Sequence, residues 1–197
     1  MNEVKISIII VNYKVKDELF SLLRSIYNSK SNISSEVIVV NNDEDDLLEK
    51  SLKSQFKFVR YIKSYRNLGF GGGNNLGANI AKGEYLFFLN PDTLIVKDAI
   101  EKLYEFIKSN KKIGIVSPLL VNTNLESFST QSRKELTPIN AIYSLSFLRK
   151  FFSKKNIYND NFLKHWEKES TIEVDTVPGA ALMISKKLFD KINGFDE

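Results

Sequence analysis

Residues 4–13 read Val4-Lys5-Ile6-Ser7-Ile8-Ile9-Ile10-Val11-Asn12-Tyr13, a β-branched and almost continuously apolar run that turns polar at its end. Such a run suits a strand covered on both faces, the habit of parallel sheets. The next segment changes period. From Asp17, the residues Leu19, Leu22, Leu23 and Ile26 fall at i, i+3, i+4 and i+7, the spacing of one helix face. Glu36–Val40 is again β-branched, Lys57–Ile62 reads as a third strand, and Tyr85–Leu89 as a fourth. Asn74–Lys82 is expected as a short helix between the last two. Ile100, Leu103, Tyr104 and Ile107 repeat the helical spacing. Strands alternating with helices imply βαβ units and a doubly wound, mostly parallel α/β sheet.

The second half is less regular. Ile113–Leu120 reads as a strand and Asn122–Lys134, rich in Ser, Thr and Asn, as a loop. Ala141–Phe152 combines Ile142, Leu145, Leu148, Phe151 and Phe152 with Arg149, Lys150, Lys154 and Lys155 nearby, the pattern of an interfacial helix or of one packed on the core. Thr171–Val177 and Ala180–Ile184 look strand-like around Pro178-Gly179, and Ser185–Ile192 looks helical.

Composition narrows the class. A chain of 197 residues, 43% hydrophobic and 26% charged, is an ordinary globular domain. No cysteine is present, which excludes disulfides, thiolate metal sites and Cys nucleophiles. A net charge of +4 suits an anionic ligand or anionic membrane surface but is far from a nucleic-acid footprint. No apolar run approaches the ~20 residues of a membrane-spanning helix. The N-terminal run lacks a small-residue cleavage site and reads as a buried strand rather than a signal peptide, so the expected location is cytoplasmic. His165, beside Trp166, is the only His. The pairs Lys111-Lys112 and Lys186-Lys187 read as solvated faces.

Ligands of open parallel sheets bind beyond the carboxyl ends of the strands. There the sequence places Asn12-Tyr13, then Asn41-Asn42-Asp43-Glu44-Asp45-Asp46, then Asn90-Pro91-Asp92-Thr93. Each alone also fits a turn or helix cap; three at matching strand ends point to a site. Six of the nine glycines lie between positions 69 and 83. Glycines permit close backbone approach, and a following helix N-terminus favours anions. Neither G-x-x-x-x-G-K-[ST] nor a dinucleotide fingerprint is present, since position 74 is Asn. A nucleotide-sized ligand is therefore indicated without NAD or a P-loop. Asp92, behind Pro91, is suited to hold Mg²⁺ or Mn²⁺ whose other ligands are diphosphate oxygens, or alternatively to cap a helix beginning near Val96.

The motifs Ile8–Lys14, Glu36–Asn42, Arg66–Asn75, Tyr85–Thr93 and Val177–Ile184, in this order over nearly the whole chain, resemble family 2 inverting glycosyltransferases of the GT-A fold. The wording is especially like the bacterial rhamnosyltransferase branch. The resemblance implies a Rossmann-like α/β nucleotide-diphospho-sugar transferase with helices on both faces of the sheet. It implies one domain, 1–197, in which 1–110 binds the nucleotide sugar and 111–197 is a partial acceptor-side half. Asn12 and Tyr13 would frame the base. Asn41 stands where the family usually has an Asp that reads the uracil or thymine edge. Arg66, Asn67 and Gly71 would line the diphosphate-sugar pocket. Asn90-Pro91-Asp92 matches the D-x-D-like motif with Asp92 as metal ligand, and Pro178 and Gly179 would shape the sugar and acceptor side.

The same resemblance puts the general base in an acidic pair within roughly a dozen residues after Gly194-Phe195-Asp196-Glu197, beyond Glu197, with Asp196 or Glu197 as the alternative within the chain. The implied activity is transfer from dTDP-rhamnose or a UDP-sugar to a glycan or lipid-linked acceptor in polysaccharide synthesis, with possible peripheral membrane contact. The rival readings are a nucleotidyltransferase-like enzyme and a non-catalytic sugar-nucleotide-binding module.

Overall fold

The structure, a computed structural model, describes residues 3–43, 47–127 and 170–197, apart from the side chain of Leu47. In chain order the elements are β1 (Ile6–Asn12), α1 (Lys16–Ser29), β2 (Ser35–Asn41), α2 (Leu47–Gln55), β3 (Val59–Lys63), α3 (Gly69–Ile80), β4 (Tyr85–Leu89), α4 (Ala99–Ser109), β5 (Ile115–Val116), β6 (Ala181–Ser185) and α5 (Lys186–Lys191). The chain forms two compact units, one of Met1–Pro118 with Gly179–Glu197 and one of Leu119–Pro178.

All named strands belong to the first unit, in one sheet ordered β3-β2-β1-β4-β6-β5. β1, β2, β3 and β4 are mutually parallel, while β6 runs antiparallel to both β4 and β5. The sheet is thus mostly parallel, and strand order reverses between β1 and β4. Successive β1 side chains point to opposite faces, and Ile6, Ser7, Ile8, Ile9 and Ile10 are all fully buried, so both faces are covered. That is why the run carries no polar alternation.

Two contacts assign the faces. Ile9 and Val11 meet the glycine side of α3 at Gly77 and Gly73. Tyr85, in register with Ile6 and hence on the other face, packs edge-to-face on Tyr104 of α4, ring centroids 5.5 Å apart. Helices therefore lie on both sides of the sheet.

Several sequence expectations shift. α3 starts at Gly69 rather than Asn74, so the glycine-rich stretch is the helix's own first turns. The third strand is Val59–Lys63, two residues later than read at its start, and the Ile113–Leu120 strand shrinks to Ile115–Val116. Thr171–Val177 forms no strand. α5 matches its expected span, with the Ser185 hydroxyl accepting from the Leu188 N–H as N-cap. Lys186 is not part of a merely solvated face: its Nζ donates to the Ala78 carbonyl near the end of α3 at 2.8 Å. Among the second unit's described residues, Val121 and Ser127 bridge across a turn that Asn122 closes by accepting from the Asn124 and Glu126 N–H groups. Glu44-Asp45-Asp46, Ala141–Phe152 and His165-Trp166 lie outside the described residues. Among the described residues, no helix is long and apolar enough to cross a membrane.

Candidate active site at the carboxyl edge

The parallel strands end together, and so do their polar residues. Asn12 closes β1 and Asn41 closes β2 in the same register pair. Asn12 is 2% exposed and Asn41 0%. Asn12 Nδ2 donates to Asn41 Oδ1 at 2.8 Å, and Asn41 Nδ2 donates to the Tyr61 hydroxyl at 3.2 Å. The Asn41 carboxamide also accepts from the Asp43 N–H at 3.2 Å. Asn12 Oδ1 is buried with no hydrogen-bond partner among the described residues. An orphaned acceptor of this kind costs about 1–3 kcal/mol, so a site that retains it is a candidate for supplying the missing donor from a ligand.

Asn42 is a residue the sequence reading did not single out by itself. Fully buried, it donates from Nδ2 to the Gly69 carbonyl at 2.9 Å, and its Oδ1 lies 3.0 Å from Ser64 Oγ. Ser64 Oγ is also 2.6 Å from the Arg66 carbonyl oxygen. The ends of β2 and β3 are thereby tied to the first residue of α3. The signal was present: two consecutive Asn at a strand end, one for each side of the strand.

α3 opens onto this edge. Gly69 has φ +67°, a conformation that disfavours other side chains, and its N–H donates to Asn67 Oδ1 at 2.9 Å. Asn67 thus fixes the backbone at the helix start. The Arg66 side chain is exposed beside it. Uncompensated N–H groups and the helix dipole make such an end hospitable to phosphate. Tyr13, half exposed after β1, carries the Lys14 ammonium 5.2 Å from its ring centroid. The remaining glycines of α3 have packing reasons within the chain. A Cβ on Gly73 would lie 2.8 Å from Val11 Cγ1, and one on Gly77 2.5 Å from Ile9 Cγ2. One on Gly71 would lie 2.5 Å from the Asp196 carbonyl oxygen.

After β4 the chain makes a turn with Pro91 and Asp92 at its corner, closed by Thr93 N–H to the Asn90 carbonyl at 3.2 Å. The Asn90 N–H in turn donates to the Ala180 carbonyl at 2.9 Å, joining this turn to the approach of β6. Asp92 is exposed. It is not a helix cap, since α4 begins at Ala99. Gly179 faces the Phe70 ring: a Cβ there would sit 3.3 Å from Phe70 Cζ. Pro178 belongs to the second unit and is half-buried.

Among the described residues no group of three or more His, Asp or Glu could by itself hold a metal. A lone exposed carboxylate at a strand end instead fits a hard cation such as Mg²⁺ or Mn²⁺, which keeps few protein ligands when phosphate oxygens complete its shell.

Comparisons agree with this architecture. The glycosyl transferase family 2 model matches residues 7–190, and the chain belongs to that family. It is 28% identical over 197 residues to the low-salt glycan biosynthesis hexosyltransferase Agl10 of Haloferax volcanii, covering 98% of this chain and 56% of that protein. It is 24% identical over 201 residues to rhamnosyltransferase WbbL of Escherichia coli, covering 96% of this chain and 70% of that one. Among solved structures, the mannosyltransferase PcManGT from Pyrobaculum calidifontis, in complex with GDP-Man and Mn²⁺, superposes with TM-score 0.65 at 15% identity, over 100% of this chain and 48% of that chain. The likeness shows the GT-A fold. The chain spans little more than half the length of Agl10 and about half of the mannosyltransferase.

Proposed function

We propose that this chain carries the donor-binding part of an inverting glycosyltransferase that uses a nucleotide-diphosphate sugar, dTDP-rhamnose or a UDP-sugar, and serves a glycan or lipid-linked acceptor in polysaccharide synthesis. The observation that carries this reading is the convergence, at the β1/β4 switch point, of a buried Asn12–Asn41 amide pair, the N-terminus of α3 and the exposed Asp92 carboxylate. Base, diphosphate and metal each find a chemically matched group along one edge. Support for the donor class comes from relatives named as hexosyl- and rhamnosyltransferases and from a structural neighbour solved with GDP-Man.

In this reading Asn12 and Tyr13 meet the base, with Asn41 orienting Asn12. Arg66 and the α3 N-terminus face the diphosphate. Asp92 would hold an Mg²⁺ or Mn²⁺ ion, which when bound would neutralise charge on the leaving diphosphate. Asn67 and Asn90 hold the backbone at the two turns that present these groups. Gly71 lines the diphosphate-sugar side and Gly179 bounds the sugar and acceptor side. An acceptor hydroxyl attacks the anomeric carbon opposite the leaving group, which inverts the centre. The hydroxyl's proton passes to a general base as the bond to the anomeric carbon forms. Residues 1–110 carry the donor contacts and 111–197 contribute to the acceptor side, in the cytoplasm with peripheral contact at the inner face of the membrane.

A thermal-shift panel of dTDP-rhamnose, UDP-glucose, UDP-N-acetylglucosamine and GDP-mannose, each with and without Mn²⁺, tests the reading. A ligand at a hundredfold excess over its Kd adds about 2.7 kcal/mol of stability. A metal-dependent shift with one donor is expected; no shift with any of them overturns the proposal.

A further inference from the structure

After α5 the chain turns at Gly194 and runs along α3 towards the helix's N-terminal end. Gly194 adopts φ +79°, and a Cβ on it would lie 2.6 Å from Asn75 Oδ1. The next residue is gripped from both sides. The Phe195 N–H donates to Asn75 Oδ1 at 2.9 Å, and Asn75 Nδ2 donates to the Phe195 carbonyl at 2.9 Å. The same Nδ2 donates to Glu197 Oε1 at 3.0 Å. One carboxamide therefore uses its acceptor and both donor directions on a segment 120 residues away in sequence.

Packing completes the grip. The Phe195 ring sits 5.0 Å from Phe88 of β4, 5.3 Å from Phe189 of α5 and 5.4 Å from Phe70 of α3, centroid to centroid. The Asp196 carbonyl fills the space that a side chain at position 71 would need, and Glu197 lies over Gly72, with its carboxyl carbon 3.6 Å from where a Cβ would be. The strap thus climbs from Asn75 to the first turns of α3, the end that opens onto the candidate site. Missing side chains at Gly71 and Gly72 let the Asp196 backbone and the Glu197 carboxylate lie directly on the helix.

We infer that Asn75 is a positioning residue for sugar transfer: its carboxamide fixes the Gly194–Glu197 strap against the glycine face of α3, and so fixes where the Glu197 carboxylate stands beside the first turns of that helix. This rests on the function proposed above. It differs from a merely structural role in what it moves. The Asn75 carboxamide bonds to the strap and to none of Asn12, Arg66 or Asp92, so loosening it changes the chemical step and leaves donor affinity alone.

The test uses the full chain as parent and as Asn75→Ala, Gly194→Ala and, as a control remote from the strap, Leu52→Ala on the buried face of α2. Calorimetry gives Kd for whichever of dTDP-rhamnose, UDP-glucose, UDP-N-acetylglucosamine or GDP-mannose binds tightest with Mn²⁺. Release of nucleoside diphosphate from that donor to water gives the rate of the chemical step, at a temperature where every variant is folded. Expected are Kd values within twofold of the parent for all, and release at least tenfold slower in Asn75→Ala and Gly194→Ala but not in Leu52→Ala. Release within twofold of the parent in the two strap variants overturns the inference, as does a fall that Leu52→Ala shares.

A parent that binds none of the four donors defeats the proposed function and the transfer role with it, and a parent that binds a donor but releases no nucleoside diphosphate overturns the transfer role alone. Hydrogen exchange still decides the grip in that case. Loss of protection at the Phe195 amide of Asn75→Ala, with Ile9 and Val39 amides unchanged, shows that Asn75 holds the strap. Unchanged Phe195 protection shows that it does not.

Discussion

Asn12 and Asn41, paired in register at the ends of two adjacent parallel strands, share a 2.8 Å hydrogen bond that leaves Asn12 Oδ1 buried without a partner among the described residues. The bond fixes which way the Asn12 carboxamide faces. A carboxylate at position 41 would accept from Asn12 Nδ2 equally well, so an Asn there keeps the orientation of Asn12 while leaving the edge uncharged. Asn41 spends its own groups on Asn12, Asp43 and Tyr61. Asn12 is therefore the better reader of a base, and Asn41 its support.

Asn12→Ala tests this division. It removes an orphan acceptor together with a good hydrogen bond, and Asn41 Oδ1 keeps the Asp43 N–H. The two changes partly offset, so stability should shift by no more than about 1 kcal/mol. Nucleoside diphosphate affinity should fall about tenfold, equivalent to about 1.4 kcal/mol. Calorimetry beside thermal melting reads both; unchanged affinity removes Asn12 from the site.

Asp92→Ala should abolish the Mn²⁺ dependence of nucleotide binding. Its carboxylate is exposed at the corner of a turn, so the melting temperature should stay close to the parent's, as for surface changes within about 0.5 kcal/mol. Titration of UDP, dTDP and GDP with and without Mn²⁺ decides it. Equal metal-dependent affinity in variant and parent shows that Asp92 is not the ligand.

Gly77→Ala should destabilise despite the better helix propensity of Ala. The added Cβ would meet Ile9 Cγ2 at 2.5 Å and Val40 Cγ2 at 3.2 Å, both on rigid, fully buried strands. Overpacking of this kind costs about 1–3 kcal/mol, against about 1 kcal/mol regained from propensity. Gly69→Ala meets nothing within 4 Å, so its loss comes from φ +67° alone. Denaturant midpoints should rank parent, then both variants below it, with nucleotide affinity impaired more by the change at 69, which opens α3 at the site.

How much of this was legible in the sequence depends on which force shaped each segment. β1, β2 and β4 were readable because burial on both faces demands the apolar runs seen at Ile6–Val11, broken only by Ser7, and at Val37–Val40 and Leu86–Leu89. α4 was readable from Ile100, Leu103, Tyr104 and Ile107, all buried in the structure. The start of α3 was not. Glycine is a poor helix former, and Gly69–Gly73 reads as a loop until Val11, Leu68 and Asp196 are seen to need the space. The antiparallel direction of β6 was equally silent, because Ala181–Ser185 is apolar whichever way it runs. At the site, strand-end residues were legible one by one, while the ties from Asn42 to Gly69 and from Asn75 to Phe195 join segments that no local pattern connects.

Arg66 should contribute through charge rather than shape. Its side chain is exposed, immediately ahead of Asn67 and the start of α3, where a diphosphate would meet backbone N–H groups and the positive end of the helix dipole. A guanidinium bonding to phosphate is worth about 1.5–3 kcal/mol, so Arg66→Gln should weaken nucleoside diphosphate binding by roughly ten- to a hundredfold. The effect should be largest at low ionic strength and shrink towards 1 M salt, where the screening length falls to about 3 Å. Folding should be unaffected, because the side chain packs against nothing whose loss would open the core. The corresponding nucleoside, which has no phosphate, supplies the internal control: its weaker affinity should be the same in parent and variant. If Arg66→Gln weakens nucleoside and diphosphate equally, the residue acts on the base or on the fold, and the anionic end of the ligand lies elsewhere along the edge.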